Sequence, residues 1–128
     1  MSLQMIHTDR APAAIGPYSQ AVRAGSFLFV SGQLGLKPGV GELADGGFAG
    51  QSEQALENLR SILEATGFGL TDVVAVDVFI TDISQFAAFN GIYERFFSSH
   101  KPARAVVEVK GLPKGALVEI KCVACRSE

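Results

Sequence analysis

Two charged side chains stand in runs that are otherwise apolar: Arg104, in Pro102-Ala-Arg104, and Glu119, in Val118-Glu-Ile120. A guanidinium grips a carboxylate through two parallel hydrogen bonds, which orient the ligand as well as hold it. A nearby carboxylate can hold a water and take its proton. Period-two alternation sets Ala105, Val107 and Val109 on one face and Arg104, Val106 and Glu108 on the other. In the last apolar run Val118, Ile120, Cys122 and Ala124 share a face, opposite Leu117, Glu119, Lys121 and Val123. With both apolar faces turned toward helices, Arg104 and Glu119 are expected to emerge on the same side. Removing one partner of a buried ion pair costs roughly 3–5 kcal/mol, so both groups call for a partner or a ligand. The competing reading is an ordinary salt bridge within or between subunits.

Other reactive residues are less demanding. Asn90 lies along the helix face of Phe86 and Tyr93, and Tyr18 follows Gly16-Pro17. Ser31 lacks the Gly-x-Ser-x-Gly elbow of a nucleophilic serine. Gly32 and Gly35 make no dinucleotide fingerprint, because no helix opens directly after them. Cys122 and Cys125 fall in an extended run where residues three apart point to opposite faces, so they read as buried strand thiols. His7 and His100 add no zinc spacing.

The elements that must position these residues follow from the pattern. Phe27–Val30 predicts a strand running into Ser31-Gly-Gln33. Residues 35 to 47 hold five glycines and a proline, a loop by composition. Ala55, Leu59, Ile62 and Leu63 recur at helical spacing between Phe48 and Thr66, with Gly67 as the C-terminal cap. A strand is predicted over Val73–Thr81. Asp82, with Gln85 three residues on, resembles a capping box for a second helix ending near His100. Strands over Arg104–Val109 and Leu117–Cys125 complete the chain. Val74, Val76, Val78 and Ile80 share one face of the longest strand, yet its other face carries Val73, Ala75 and Phe79. Two helices cover only one sheet face, so the second is expected to meet another copy of the chain.

Composition bounds the rest. The chain has 128 residues, a hydrophobic fraction of 48% and a net charge of −2. That suits one domain, 1–128, with a single core. No basic run is present to neutralise phosphates, so no nucleic-acid partner is expected. The apolar stretches are too short for a membrane span, and residues 1–10 lack the apolar centre of a signal peptide, which points to the cytoplasm.

Five segments, in order, carry a resemblance: Ala14-Ile-Gly-Pro-Tyr-Ser-Gln-Ala21; Val30-Ser-Gly-Gln33; Asn90 with Tyr93 and Phe96-Phe97; Pro102-Ala-Arg104 with Val107-Glu-Val109; and Leu112-Pro-Lys-Gly115 before Val118-Glu-Ile120. From about residue 5 to 125 the chain resembles the Rid family (YjgF type) of enamine/imine deaminases. The resemblance implies an α+β, chorismate-mutase-like fold: a mixed sheet of about six strands with two helices on one face. It implies a homotrimer with sites between subunits, no metal and no cofactor. Arg104 would bind the substrate carboxylate and Glu119 would position or activate water; Tyr18, Ser31, Gly32, Asn90 and the Val106 backbone would line the pocket. The implied reaction is hydrolysis of 2-iminopropanoate or 2-iminobutanoate to a 2-keto acid and ammonia. A keto-acid or amino-acid sensor, a catabolic deaminase of a larger enamine and an RNA-cleaving inhibitor of translation are the alternatives. Val106 departs from the cysteine that deaminating members often carry two residues after the arginine. The segment from Phe97 to Pro102 is also shorter than in some members.

Overall fold

The computed structural model describes residues 2–126. Its strands are β1 (Leu3–Ile6), β2 (Ala21–Ala24), β3 (Phe27–Leu34), β4 (Val73–Ile80), β5 (Ala103–Glu108) and β6 (Val118–Cys125). The helices are α1 (Gly47–Ala65) and α2 (Phe86–Phe96). They build one mixed sheet ordered β1-β2-β3-β6-β4-β5. β4 and β5 are parallel, joined through α2 as parallel neighbours require. The other pairings are antiparallel. Class, sheet and helix number agree with the sequence expectation. Periodicity predicts neither β1 nor β2, because four residues give too short an alternation to register.

The helices bury one face of the sheet. Ala55, Leu56, Leu59, Ile62 and Leu63 of α1 form one core with Leu28 and Val30 of β3, Val76, Val78 and Ile80 of β4, and Val118 and Ile120 of β6. Each large side chain so buried contributes roughly 1.5–3 kcal/mol relative to exposure. α1 stops at Thr66 in a Schellman arrangement: Gly67, at φ 82°, donates to the Glu64 carbonyl at 3.2 Å, and Phe68 to Leu63 at 2.9 Å. Buried polar groups of α1 hold the flanking loops. Asn58 Nδ2 donates to the carbonyls of Leu34 and Leu36 at 3.1 and 2.9 Å, and Gln51 Oε1 accepts from the Leu117 N–H at 2.9 Å.

The second helix starts and ends short of expectation. Asp82 accepts from the Ser84 N–H at 2.9 Å, but this caps a 3₁₀ turn, Ile83–Gln85, ahead of α2. Gln85 makes no capping bond, so no box forms. α2 ends at Phe96, and a His100 ring nitrogen instead meets the Val73 carbonyl at 2.6 Å.

Two face assignments change. A bulge between Val73 and Ala75 turns Val73 into the core and leaves Val74 45% exposed, so Val74 does not share the face of Val76. More consequentially, Arg104 pairs with Val76 and Val106 with Val78 in register. In-register neighbours point the same way, and Val76 and Val78 are buried on the helix side. Arg104 and Val106 therefore face the helices, and Val107 faces away, 44% exposed. Glu119 pairs with Phe79, on the far face. The expectation that Arg104 and Glu119 share a side is overturned. β5 is an edge strand with apolar residues on both faces, and alternation cannot tell which face meets a helix.

The far face exposes Phe27, Phe29, Val74 and Val107. Among the described residues no helix is long and apolar enough to cross a membrane.

Candidate functional site

The suspected residues fall into two groups, one on each side of the sheet. On the far side a cavity of about 540 Å³ is lined by Tyr18, Ser31, Gly32 and Glu119, with Ile15 and Lys114 at its walls. The N-terminal segment reaches this cavity because Gln20, 1% exposed, binds it from below. Its side-chain oxygen accepts from the Thr8 N–H at 2.7 Å, and its nitrogen donates to the carbonyls of Thr8 and Pro12 at 3.0 and 2.7 Å. Tyr18 projects from that segment, 53% exposed. Ser31 Oγ donates to the Ser19 carbonyl at 2.6 Å, so this hydroxyl is a structural tie.

Glu119 is half-buried, and desolvation pushes its carboxyl pKa up from the ordinary value. It forms no ion pair among the described residues. Gly32 is expected to line the pocket, and the structure shows what occupies the space beside it. A Cβ at Gly32 would stand 2.8 Å from Cδ and Oε2 of Glu119. The missing side chain is the seat of the glutamate.

On the helix side a smaller cleft, about 330 Å³, is lined by Asn90, Tyr93, Phe97, Lys101 and Arg104. The Arg104 guanidinium carbon lies 4.7 Å from the Tyr93 ring centroid and 5.7 Å from that of Phe86. Aromatic faces attract a cation in this geometry. Arg104 is exposed and forms no ion pair among the described residues. Burial raises the Tyr93 hydroxyl pKa to about 12, with the Arg104 charge opposing and Cys122 adding to the rise. The Tyr93 hydroxyl and Asn90 Oδ1 are both buried without a hydrogen-bond partner. Such groups are costly to leave unpaired.

Val106 lines neither cavity; its side chain packs against the core. Cys122 is buried with its thiol pKa pushed up to about 12 by desolvation, which makes it inert. Cys125 is only partly buried, which corrects the expectation that both are buried strand thiols. Sequence reasoning missed Tyr93, Gln20 and Lys114. The first was legible in part, since it sits one turn from Asn90 on the same helix face, yet a Tyr in an apolar stripe reads as core.

Comparison with known proteins gives a consistent result. Residues 8–126 match the family described as Endoribonuclease L-PSP. A RutC family protein of Pyrococcus horikoshii is 47% identical over 121 residues, covering 94% of this chain and 96% of that one. The human 2-iminobutanoate/2-iminopropanoate deaminase is 46% identical over 121 residues, covering 94% and 88%. The crystal structure of E. coli TdcF with bound serine superposes with a TM-score of 0.92 at 42% identity, covering 97% of this chain and 99% of that one.

Proposed function

Because the chain belongs to the Endoribonuclease L-PSP (YjgF/Rid) family, we propose that it hydrolyses small 2-imino acids, and their 2-enamine tautomers, to 2-keto acids and ammonia. The observation that carries this reading is the Arg104 guanidinium, which rests on aromatic rings at a cleft and has no acidic partner among the described residues. The deaminase name of the human relative and the serine bound to TdcF support a small carboxylate as its counter-ion.

Arg104 binds the substrate carboxylate and thereby fixes the angle of the adjacent C=N group. Glu119 holds a water against the imine carbon. Water oxygen bonds to that carbon while the glutamate takes its proton and the imine nitrogen gains one from solvent. The protonated glutamate then gives its proton to the amine nitrogen of the carbinolamine. The C–N bond breaks, ammonia leaves, and the hydroxyl proton passes to solvent to leave the keto group. A carboxylate whose pKa is raised is a stronger base than an ordinary one, which suits this role. Such imines hydrolyse unaided, so orientation and one base suffice.

One protomer cannot do this alone, because the two groups lie on opposite sides of its sheet. We propose a homotrimer in which Arg104 of one subunit faces Glu119 of the next. The exposed Phe27, Phe29 and Val107 of the far face supply apolar surface for such contacts.

The test generates 2-iminobutanoate from threonine with a dehydratase and times its loss. Arg104→Ala and Glu119→Gln should each lose the acceleration. Mixed after co-refolding in equal amounts, they should recover activity in about a quarter of the sites, those built from one intact residue of each subunit. No recovery would place both residues in one protomer's site and overturn the arrangement; undiminished acceleration by Arg104→Ala would overturn the reaction assignment.

The family's description favours a second reading, cleavage of RNA. RNA binding by purified protein that weakens steeply with salt would support it. The net charge of −2 supplies little attraction for phosphates.

A further inference from the structure

Lys114 is the one non-glycine of the described residues with a left-handed backbone, at φ 61° and ψ 17°. Gly115 follows at φ 69°, and the Ala116 N–H donates to the Pro113 carbonyl at 3.1 Å. Two successive left-handed residues inside such a bond make the pattern of a type I′ turn. Its first central position favours Asn, Asp or Gly. Glycine has no Cβ to clash there, and asparagine has a short side chain that bonds locally; lysine has neither advantage. The backbone thus argues for another residue at 114, and strain of this kind concentrates where a side chain is needed for function.

The surroundings suggest what is needed. Lys114 lines the Glu119 cavity and is exposed. Its ammonium has no ion-pair partner among the described residues. Glu119 and a 2-imino carboxylate are both negative once ionised, so a substrate approaching this cavity is repelled by the group that must act on it. An exposed cation at the rim offsets that repulsion. We infer that Lys114 is a binding residue of the Glu119 cavity that draws in anionic ligands, retained against the preference of its turn. This deepens the proposed function and rests on it for the identity of the ligand.

The test compares wild type with Lys114→Asn, which suits the turn but lacks the charge, and Lys114→Arg, which keeps the charge. Calorimetric binding of 2-ketobutyrate at low and high salt is measured beside imine hydrolysis and thermal melting. Lys114→Asn should melt at or above the wild-type temperature, bind about five- to tenfold more weakly at low salt and show a smaller salt dependence, the remainder coming from Arg104. Its kcat should hold while KM rises, and Lys114→Arg should restore both affinity and salt dependence. Unchanged affinity in Lys114→Asn, or weakening that Lys114→Arg does not rescue, would overturn the inference. So would a lowered melting temperature, which would make Lys114 structural. Wild type that binds 2-ketobutyrate but hydrolyses no imine would defeat the deaminase reading and leave Lys114 standing on its binding data.

Discussion

Arg104 and Glu119 stand on strands separated only by β4, yet their surroundings are built in opposite ways. Arg104 is carried by side chains: the rings of Tyr93 and Phe86 on α2 lie beneath an exposed guanidinium. Glu119 is carried by backbone: its carboxylate lies over Gly32, where no side chain intervenes, in a cavity that mixes apolar residues such as Ile15 and Leu34 with Ser31 and Lys114. The aromatic quadrupole favours the cation, whereas burial penalises the anion and raises its pKa. The cation is seated on aromatic rings, and the anion is driven toward protonation. That division suits an anchor and a base, and it shows how two faces of one sheet can prepare two different electrostatic environments.

The largest effects should come from removing either group. Arg104→Ala should lower kcat/KM by about a hundredfold or more, with melting unchanged because the side chain is exposed. Glu119→Gln should lower kcat by roughly a hundredfold while leaving binding of 2-ketobutyrate largely intact. The wild-type rate should rise with pH through the Glu119 pKa, since only the ionised form takes a proton from water. Because burial raises that pKa, the rise should fall above the usual carboxylate range, and the Gln variant should lack it. A wild-type rate with no rise above the ordinary carboxylate pKa would remove Glu119 as the base.

A smaller effect sharpens the contrast on the Glu119 side. Gly32→Ala places a methyl 2.8 Å from the carboxylate, which must swing aside. A shift of this size should cost kcat about tenfold without weakening keto-acid binding. Equal kcat in the variant would show that the seat does not matter.

The smallest change tests the aromatic platform. Tyr93→Leu should raise KM a few-fold, about the worth of one cation–π contact, while Tyr93→Phe should keep the wild-type KM. If Phe fails as badly as Leu, the buried hydroxyl rather than the ring is what Arg104 depends on.

Much of this was legible in the sequence. Leu59, Ile62 and Leu63 recur at helical spacing, and alternation in Val118–Cys125 identifies which side chains enter the core. Both readings work because a long, half-buried element repeats its environment often enough to reveal its period. β1, β2 and the 3₁₀ turn before α2 are too short for that. The motifs around Tyr18, Arg104 and Glu119 carried the family resemblance, and the fold it implied is the one observed.

The residue types suited to the chemistry, the two helices and the apolar face of β6 follow from the order of amino acids, since each depends on local periodicity or on a side chain's own chemistry. The direction in which Arg104 points does not. Alternation divides β5 into two faces, but only its parallel pairing with β4 decides which of them meets α2, and only a bulge decides that Val73 rather than Val74 enters the core. Register between distant strands is set by packing across the whole sheet, so the separation of Arg104 from Glu119 belongs to the tertiary structure alone.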